Sequence, residues 1–217
     1  MYTTFTVRRV FTEELERIVQ LYSSYNRFHC NIYRETFIKQ VMLCGQVWAA
    51  YDGDIMAGCC CLFPGDMEMF AHTAAAWNIQ EMTGIQEGKY LVLGYLAVKE
   101  GYSQKDFFPP FALLRRTAGY HRGKEQVLYL SIAHIHNHMG QTMKAGFRLA
   151  GLRGLDSLVP HYIFIAPTEM KNQRPAENQV VTKCPYTDTK EVSRLCEDGF
   201  EGYDIDSENN ILFTDRS

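Results

Sequence analysis

Long apolar runs are missing from this chain of 217 residues. No stretch approaches the roughly 20 consecutive apolar residues that a bilayer-spanning helix needs. The opening MYTTFTVRRVF has no apolar segment followed by a small-residue cleavage site, so neither a membrane anchor nor a secretory leader is expected. A surplus of either charge is missing too: 22 Lys and Arg stand against 25 Asp and Glu, a net charge of -3, with no cluster of basic residues. That balance supplies no field for nucleic acid or an anionic membrane, and both drop out as expected partners. The cysteines, seven in number, do not form an even framework, and Cys59, Cys60 and Cys61 are consecutive. This points to a reducing, cytoplasmic setting. What is present, 46% apolar and 22% charged residues, suffices for one buried core plus an extension.

FTVRRV alternates as a short strand should, and Thr12 stands where a helix cap belongs, with Glu13 and Glu14 in the first turn to oppose the helix dipole. Leu15, Ile18, Val19, Tyr22 and Tyr25 then follow at helical spacing. A second helical stretch through Phe37, Ile38, Val41 and Met42 stops at Gly45, which suits a left-handed cap. Asp52-Gly53 between two apolar runs predicts a tight hairpin. On its second strand Cys59 and Cys61 face one side and Cys60 the other, so the three cannot converge on one ion and read as core. Residues 65–88 read as irregular, with a weak helical patch at FAHTAAAW, and a segment of that length and character suits a binding site. KYLVLGYLAV is a strand buried on both faces. A loop, a helix opening at the prolines of FFPPFALLRRTAGYHRG, the strand QVLYLSIAHI, a short helix closed by Gly146, and the strands FRLAGLRGL and HYIFIAP complete the series.

Three histidines, His134, His136 and His138, alternate at the end of QVLYLSIAHI. Extended, they would share a face. If the chain turns helical at Asn137 they diverge, and zinc would need a fourth ligand besides, so a strand end beside a cleft is expected and no metal. His134 or His136 would then have either a substrate or base role, or ordinary capping and surface duty. Residues 168–217 carry eleven acidic against six basic residues. This acidic extension begins like a linker and holds one expected helix, DTKEVSRLCEDG, between Asp188 and Gly199. DIDSENN lacks the glycine and full spacing of a calcium loop.

The order of elements over residues 5–167, with KAGF at 144–147 ending the short helix, resembles the GNAT superfamily of acyl-CoA-dependent N-acyltransferases. The resemblance implies an α/β chain of the α+β type: a mixed central sheet of about seven strands flanked by helices, strands 4 and 5 splayed, with the transferase domain over 5–167 and the acidic extension over 168–217. It implies acetyl-CoA or another acyl-CoA as co-substrate. Leu96, Ala97 and Val98 would hold the pantetheine arm, and the loop with Ser103, Gln104, Lys105, Asp106, Phe107 and Phe108 would meet the phosphates. Asn137 falls near an asparagine of the family that holds the arm. The acceptor would be an amine on a small molecule or peptide, and a homodimer is compatible.

Two departures stand out. The family loop Gln/Arg-x-x-Gly-x-Gly/Ala, aligned on Gln104, meets Phe107 and Pro109 where glycines let backbone approach phosphate. The tyrosine that commonly protonates the leaving thiolate is replaced by Thr142. Tyr95 and Tyr90 are the candidate substitute acids, each otherwise an ordinary aromatic in or beside the core; the candidate bases are Glu87, otherwise a surface residue, and His134 or His136. The expectation is an N-acyltransferase acting by direct attack in a ternary complex; the rival, from a different class, is a GNAT-like binding module without transfer activity.

Overall fold

The computed structural model describes residues 5–25, 34–102, 123–132, 139–154, 160–168 and 181–216. The first strand, β1 (Thr6–Val10), leads through a 3-10 turn at Thr12–Glu14 into α1 (Leu15–Tyr25), and α2 (Arg34–Cys44) precedes β2 (Gln46–Asp52) and β3 (Ile55–Pro64). Then come α3 (Glu68–Ala76), α4 (Ile79–Thr83), β4 (Tyr90–Val98), β5 (Gln126–Ile132), α5 (Met139–Lys144), β6 (Arg148–Arg153) and β7 (His161–Pro167). The chain closes with β8 (Thr182–Pro185), α6 (Thr189–Glu197), β9 (Phe200–Ile205) and β10 (Asn210–Asp215).

These strands form one mixed sheet in the order β1-β2-β3-β4-β5-β7-β6-β9-β10-β8. Only β4 and β5 run parallel among the paired neighbours; the other pairs are antiparallel. Alternation along each strand divides the core in two. Val47, Ala49, Cys59, Cys61, Phe63 and Val92 face α1 to α4, while Ala50, Cys60, Leu62, Leu93 and Tyr129 face the side of α5 and α6. Cys59, Cys60 and Cys61 are all buried, the middle one on the opposite face from its neighbours, as the alternation predicts. Each fully buried aliphatic side chain contributes about 1.5–3 kcal/mol of transfer free energy, so both faces are held by apolar burial rather than by ion pairs.

Four expectations are corrected. Thr12 does not cap α1 with its side chain; it opens the 3-10 turn, whose cap residue Phe11 makes no side-chain bond. Gly45 has no positive φ, and its role is close approach: a Cβ there would lie 2.4 Å from the Leu62 carbonyl oxygen. Residues 65–88 are not irregular, because Met67, Phe70 and Ala74, then Ile79 and Met82, lie one helical turn apart and bury α3 and α4 against the sheet. Finally, the seven strands expected over 5–167 are there, but among the described residues the sheet goes on to ten. Three of them, β8, β9 and β10, come from the acidic extension, and its helix α6 starts as predicted, with the Asp188 side chain accepting from the Glu191 amide.

The extension joins the rest of the molecule through β9, which pairs with β6 at Leu149 and Gly202 and so covers the β6 edge. Val192, Leu195, Cys196, Ile211 and Phe213 enter the same core as Leu149 and Phe164. Glu201 on β9 is 6% exposed and sits between two guanidinium groups. Arg148 Nη1 donates to its Oε2 at 3.3 Å, and Arg216 Nε lies 3.3 Å from its Oε1. Arg216 also donates to the Met82 and Ala150 carbonyls, tying the chain's end to α4 and β6. No helix among the described residues is long and apolar enough to cross a membrane.

Candidate active site

The parallel ladder between β4 and β5 runs from Tyr90 opposite Gln126 to Leu93 opposite Tyr129 and stops. Beyond that point β4 continues along β3 as far as Val98 opposite Gly58, and β5 continues along β7 as far as Ile132 opposite His161. The second halves of the two parallel strands therefore part, as expected for strands 4 and 5. The cause is local. Against β3, Ala97 stands opposite Cys59 and Gly94 opposite Cys61, so Tyr95 and Leu96 together face Cys60. An extra residue of this kind bends and twists its strand, here away from β5.

Among the described residues, the parting leaves backbone polar groups without a ladder partner on the β5 side. Lys99 N–H donates to the Ala57 carbonyl at 2.8 Å, which makes Ala57 and Lys99 a hydrogen-bonded antiparallel pair. Bonded and non-bonded pairs alternate, so the N–H and C=O of Val98, one step back, point away from β3 and into the gap. Such groups must find partners when buried. Ala97 is buried on the α1 face, and Val98 and Leu96 pack on the other, so the walls beside these polar groups are apolar.

Of the residues singled out from sequence, Leu96, Ala97 and Val98 thus lie on one lip of the gap, and Tyr95 belongs to the bulge that opens it. Ser103, Gln104, Lys105, Asp106, Phe107, Phe108, His134 and Asn137 lie outside the described residues. Thr142 is fully buried in α5 beside Met139 and Met143. Tyr90 and Glu87 are not brought to the gap. Tyr90 starts β4 where the ladder is closed, its hydroxyl donates to the Gly65 carbonyl, and burial, reinforced by Asp66 and Glu87, pushes its phenol up to about 12. Eight residues of strand, roughly 26 Å, separate it from Val98.

Tyr102, just past β4, donates to Asp52 Oδ2 at 3.0 Å and so pins the strand's exit to the β2–β3 turn. A cleft of about 390 Å³ lies there, with Arg17, Gln20, Met56 and Lys99 in its wall. Its Arg17 is already committed, donating to the Asp54 carbonyl at 2.7 Å and pairing with Glu14, which makes it an attachment of α1.

One cluster at the open end of the gap was not foreseen from sequence. His161 begins β7 opposite Ile132, and on its other side stands opposite Arg153 of β6. The Trp77 ring, from the bend between α3 and α4, lies against the imidazole with centroids 5.2 Å apart. Arg153 Nε donates to the Trp77 carbonyl at 3.0 Å and Nη1 to its neighbour Leu152 at 3.0 Å, so the bend is fastened beside the histidine. Residues 77, 153 and 161 are far apart in the chain, and only the register of β5, β7 and β6 brings them together. Among the described residues no group of three or more His, Cys, Asp or Glu is arranged to hold a metal ion.

No protein-family model and no curated protein matches the sequence. Solved structures do resemble the fold. The ribosomal-protein-S18-alanine N-acetyltransferase from Escherichia coli superposes with a TM-score of 0.56 at 13% identity, over 80% of this chain and 99% of that one. Arabidopsis thaliana NAA60 in complex with acetyl-CoA gives 0.53 at 17% identity, over 76% and 98%. An acetyltransferase of the GNAT family from Streptococcus pneumoniae gives 0.54 at 8%, over 76% and 99%. With its parted parallel strands and flanking helices, this chain has the fold of the GNAT acetyltransferases.

Proposed function

We propose that this protein moves an acyl group, acetyl in the simplest case, from acyl-CoA to an amine of a small molecule or peptide, by direct attack with both substrates held together. The observation that carries this reading is the end of the β4–β5 ladder at Leu93 and Tyr129, with Val98 turning its N–H and C=O into the space beyond. A pantetheine arm is a flexible chain with two amide groups, and a strand edge between apolar walls fits such an arm as it would fit another strand. The coenzyme supplies the acyl group as an activated thioester. Val98 would orient the arm through its backbone, Leu96 and Ala97 would exclude water from it, and Tyr95 at the bulge would stand nearest the point of strand divergence. The transfer chemistry would reside in residues 5–167, with 168–217 completing the sheet.

The departures in the phosphate loop and at Thr142 give the binding-module rival its footing, and calorimetry with acetyl-CoA tests both. Heat of binding is expected for the intact chain. In Val98→Pro, which removes the N–H aimed at the gap and also fixes φ at the strand's end, affinity should fall by roughly tenfold or more, the worth of at least one hydrogen bond. Silence at millimolar acetyl-CoA would overturn the reading; binding without release of free thiol on adding any of a panel of amines would favour the module.

A further inference from the structure

We propose that the cleft between α1 and the start of β3 is a second binding site, one that takes a small organic anion: an apolar body with one carboxylate or phosphate head. The cleft lies on the α1 side of β4, while the gap opens on the β5 side, so this site stands apart from the acyl-transfer reading above. At about 390 Å³ it falls within the roughly 300–1,000 Å³ that small-molecule sites occupy. Its walls come from three elements. Arg17, Gln20 and Leu21 stand at i, i+3 and i+4 and so form one stripe of α1. Asp54, Ile55 and Met56 supply the facing wall where the hairpin runs into β3, and Lys99 follows the end of β4. Ala97 faces α1, so Lys99, two residues on, turns to the same side, and its N–H bond to the Ala57 carbonyl, at 2.8 Å, fixes where it emerges.

Floor and rim differ in chemistry. Leu21 and Met56 are buried beneath the cleft, and Ile55, 45% exposed, has apolar surface left for a ligand to cover. Among the described residues the Lys99 ammonium and the Gln20 side-chain amide have no partner. Arg17, by contrast, is held by the Asp54 carbonyl and Glu14, and Glu14 is held by Arg8 as well. In the wall and its partners the cations Arg8, Arg17 and Lys99 therefore stand against Glu14 and Asp54, which leaves one positive charge over. It belongs to Lys99. The residue paired with Lys99 is Ala57, three positions and about 10 Å along the strand from Asp54, so the positive end of the cleft and its acidic end are separate. An anionic head fits at Lys99 and Gln20, with the apolar body running over Met56 towards Ile55. A cationic head would be repelled there, and a neutral one would gain only the floor.

The probes are hexanoate and hexyl phosphate, with hexylamine and hexanol as controls of matched chain length. In protein labelled at the methionine methyls, the Met56 resonance, identified by its loss in Met56→Leu, should shift and saturate with at least one of the two anions and bind it more tightly than either control. The tighter of the two anions names the head group. Lys99→Gln should weaken that anion about three- to fivefold, the worth of one solvent-exposed ion pair, and Lys99→Glu should reverse the preference in favour of hexylamine. Lys99 is exposed, so neither change disturbs the core. Gln20→Trp, which fills the cleft from its rim, should abolish the shift, whereas Lys89→Gln, at a surface lysine paired with Glu125, should leave it as in wild type. Saturating acetyl-CoA should leave the anion bound. A Met56 methyl that neither anion moves at up to about 20 mM, beyond the millimolar range of weak binding, would overturn the proposal. So would equal binding by wild type and both Lys99 variants, or displacement of the anion by acetyl-CoA.

Discussion

Replacing Glu201 by alanine should loosen the extension from the rest of the sheet. The carboxylate is buried between Arg148 and Arg216, both about a quarter exposed, at 21% and 27%. Removing one partner of a fully buried pair costs about 3–5 kcal/mol because an uncompensated charge stays behind. Here both guanidiniums can turn partly to water, and Arg216 keeps its carbonyl partners at Met82 and Ala150, so a loss of about 2–4 kcal/mol is expected. In a chain of this size each kcal/mol moves Tm by roughly 2–4 °C, which places the drop near 5–15 °C. Glu201→Gln, which retains an acceptor oxygen and loses the charge, should cost about half as much. Thermal melts followed by circular dichroism would measure both, and the difference from wild type should survive molar salt, because buried pairs are screened little. A drop of under about 2 °C for the alanine variant, or one that salt abolishes, would show that this carboxylate does not fasten the extension.

Other consequences can be checked separately. Gly45→Ala should destabilise by about 1–3 kcal/mol, since its Cβ would meet the Leu62 carbonyl, a backbone atom that cannot swing away; a neutral urea midpoint would contradict that packing. Arg8 holds the Glu14 carboxyl below its usual range by a hydrogen bond, and Tyr51, pushed up to about 12 by burial and its bond to Glu14, donates to the same carboxylate. Glu14 therefore contributes stability above the ordinary carboxylate range and loses it as pH falls through its lowered value. Tyr51 contributes below the ordinary phenol range, near 10, and loses it as pH climbs towards 12. Glu14→Gln and Tyr51→Phe should accordingly converge with wild type at opposite ends of the pH scale in urea melts, and parallel curves would argue against the network. Burial raises the thiols of Cys59 and Cys60, lifts those of Cys61 and Cys196 to about 12, and lifts that of Cys184 to about 11. In a Cys30→Ser/Cys44→Ser variant, then, a disulfide reagent should find no fast-reacting thiol until denaturant is added.

Local signals carried much of this fold. Asp52-Gly53 closes its hairpin with Gly53 at φ +57, Asp188 and Gly199 bracket α6, and the triple cysteine divides between two faces, each set by residues within a few positions of one another. The helices α3 and α4 were harder to see, because the alanines of HTAAAW blur the contrast between buried and exposed sides on which periodicity depends. The strands of the extension escaped for a related reason: DIDSENN and its acidic neighbours read as solvated chain until β9 finds the β6 edge to pair with.

What the sequence by itself determined are most of the elements and their order, α3, α4 and the strands β8, β9 and β10 excepted, because propensity, alternation and turn chemistry act over spans of a few residues. Tertiary structure alone decided how far β4 and β5 stay paired and which side chains meet at the open end. Tyr95 and Leu96 become a bulge only against Cys60, and His161 becomes a neighbour of Trp77 and Arg153 only through the register of three strands. Register is fixed by the joint burial of two faces across the whole sheet, a property that no single segment carries.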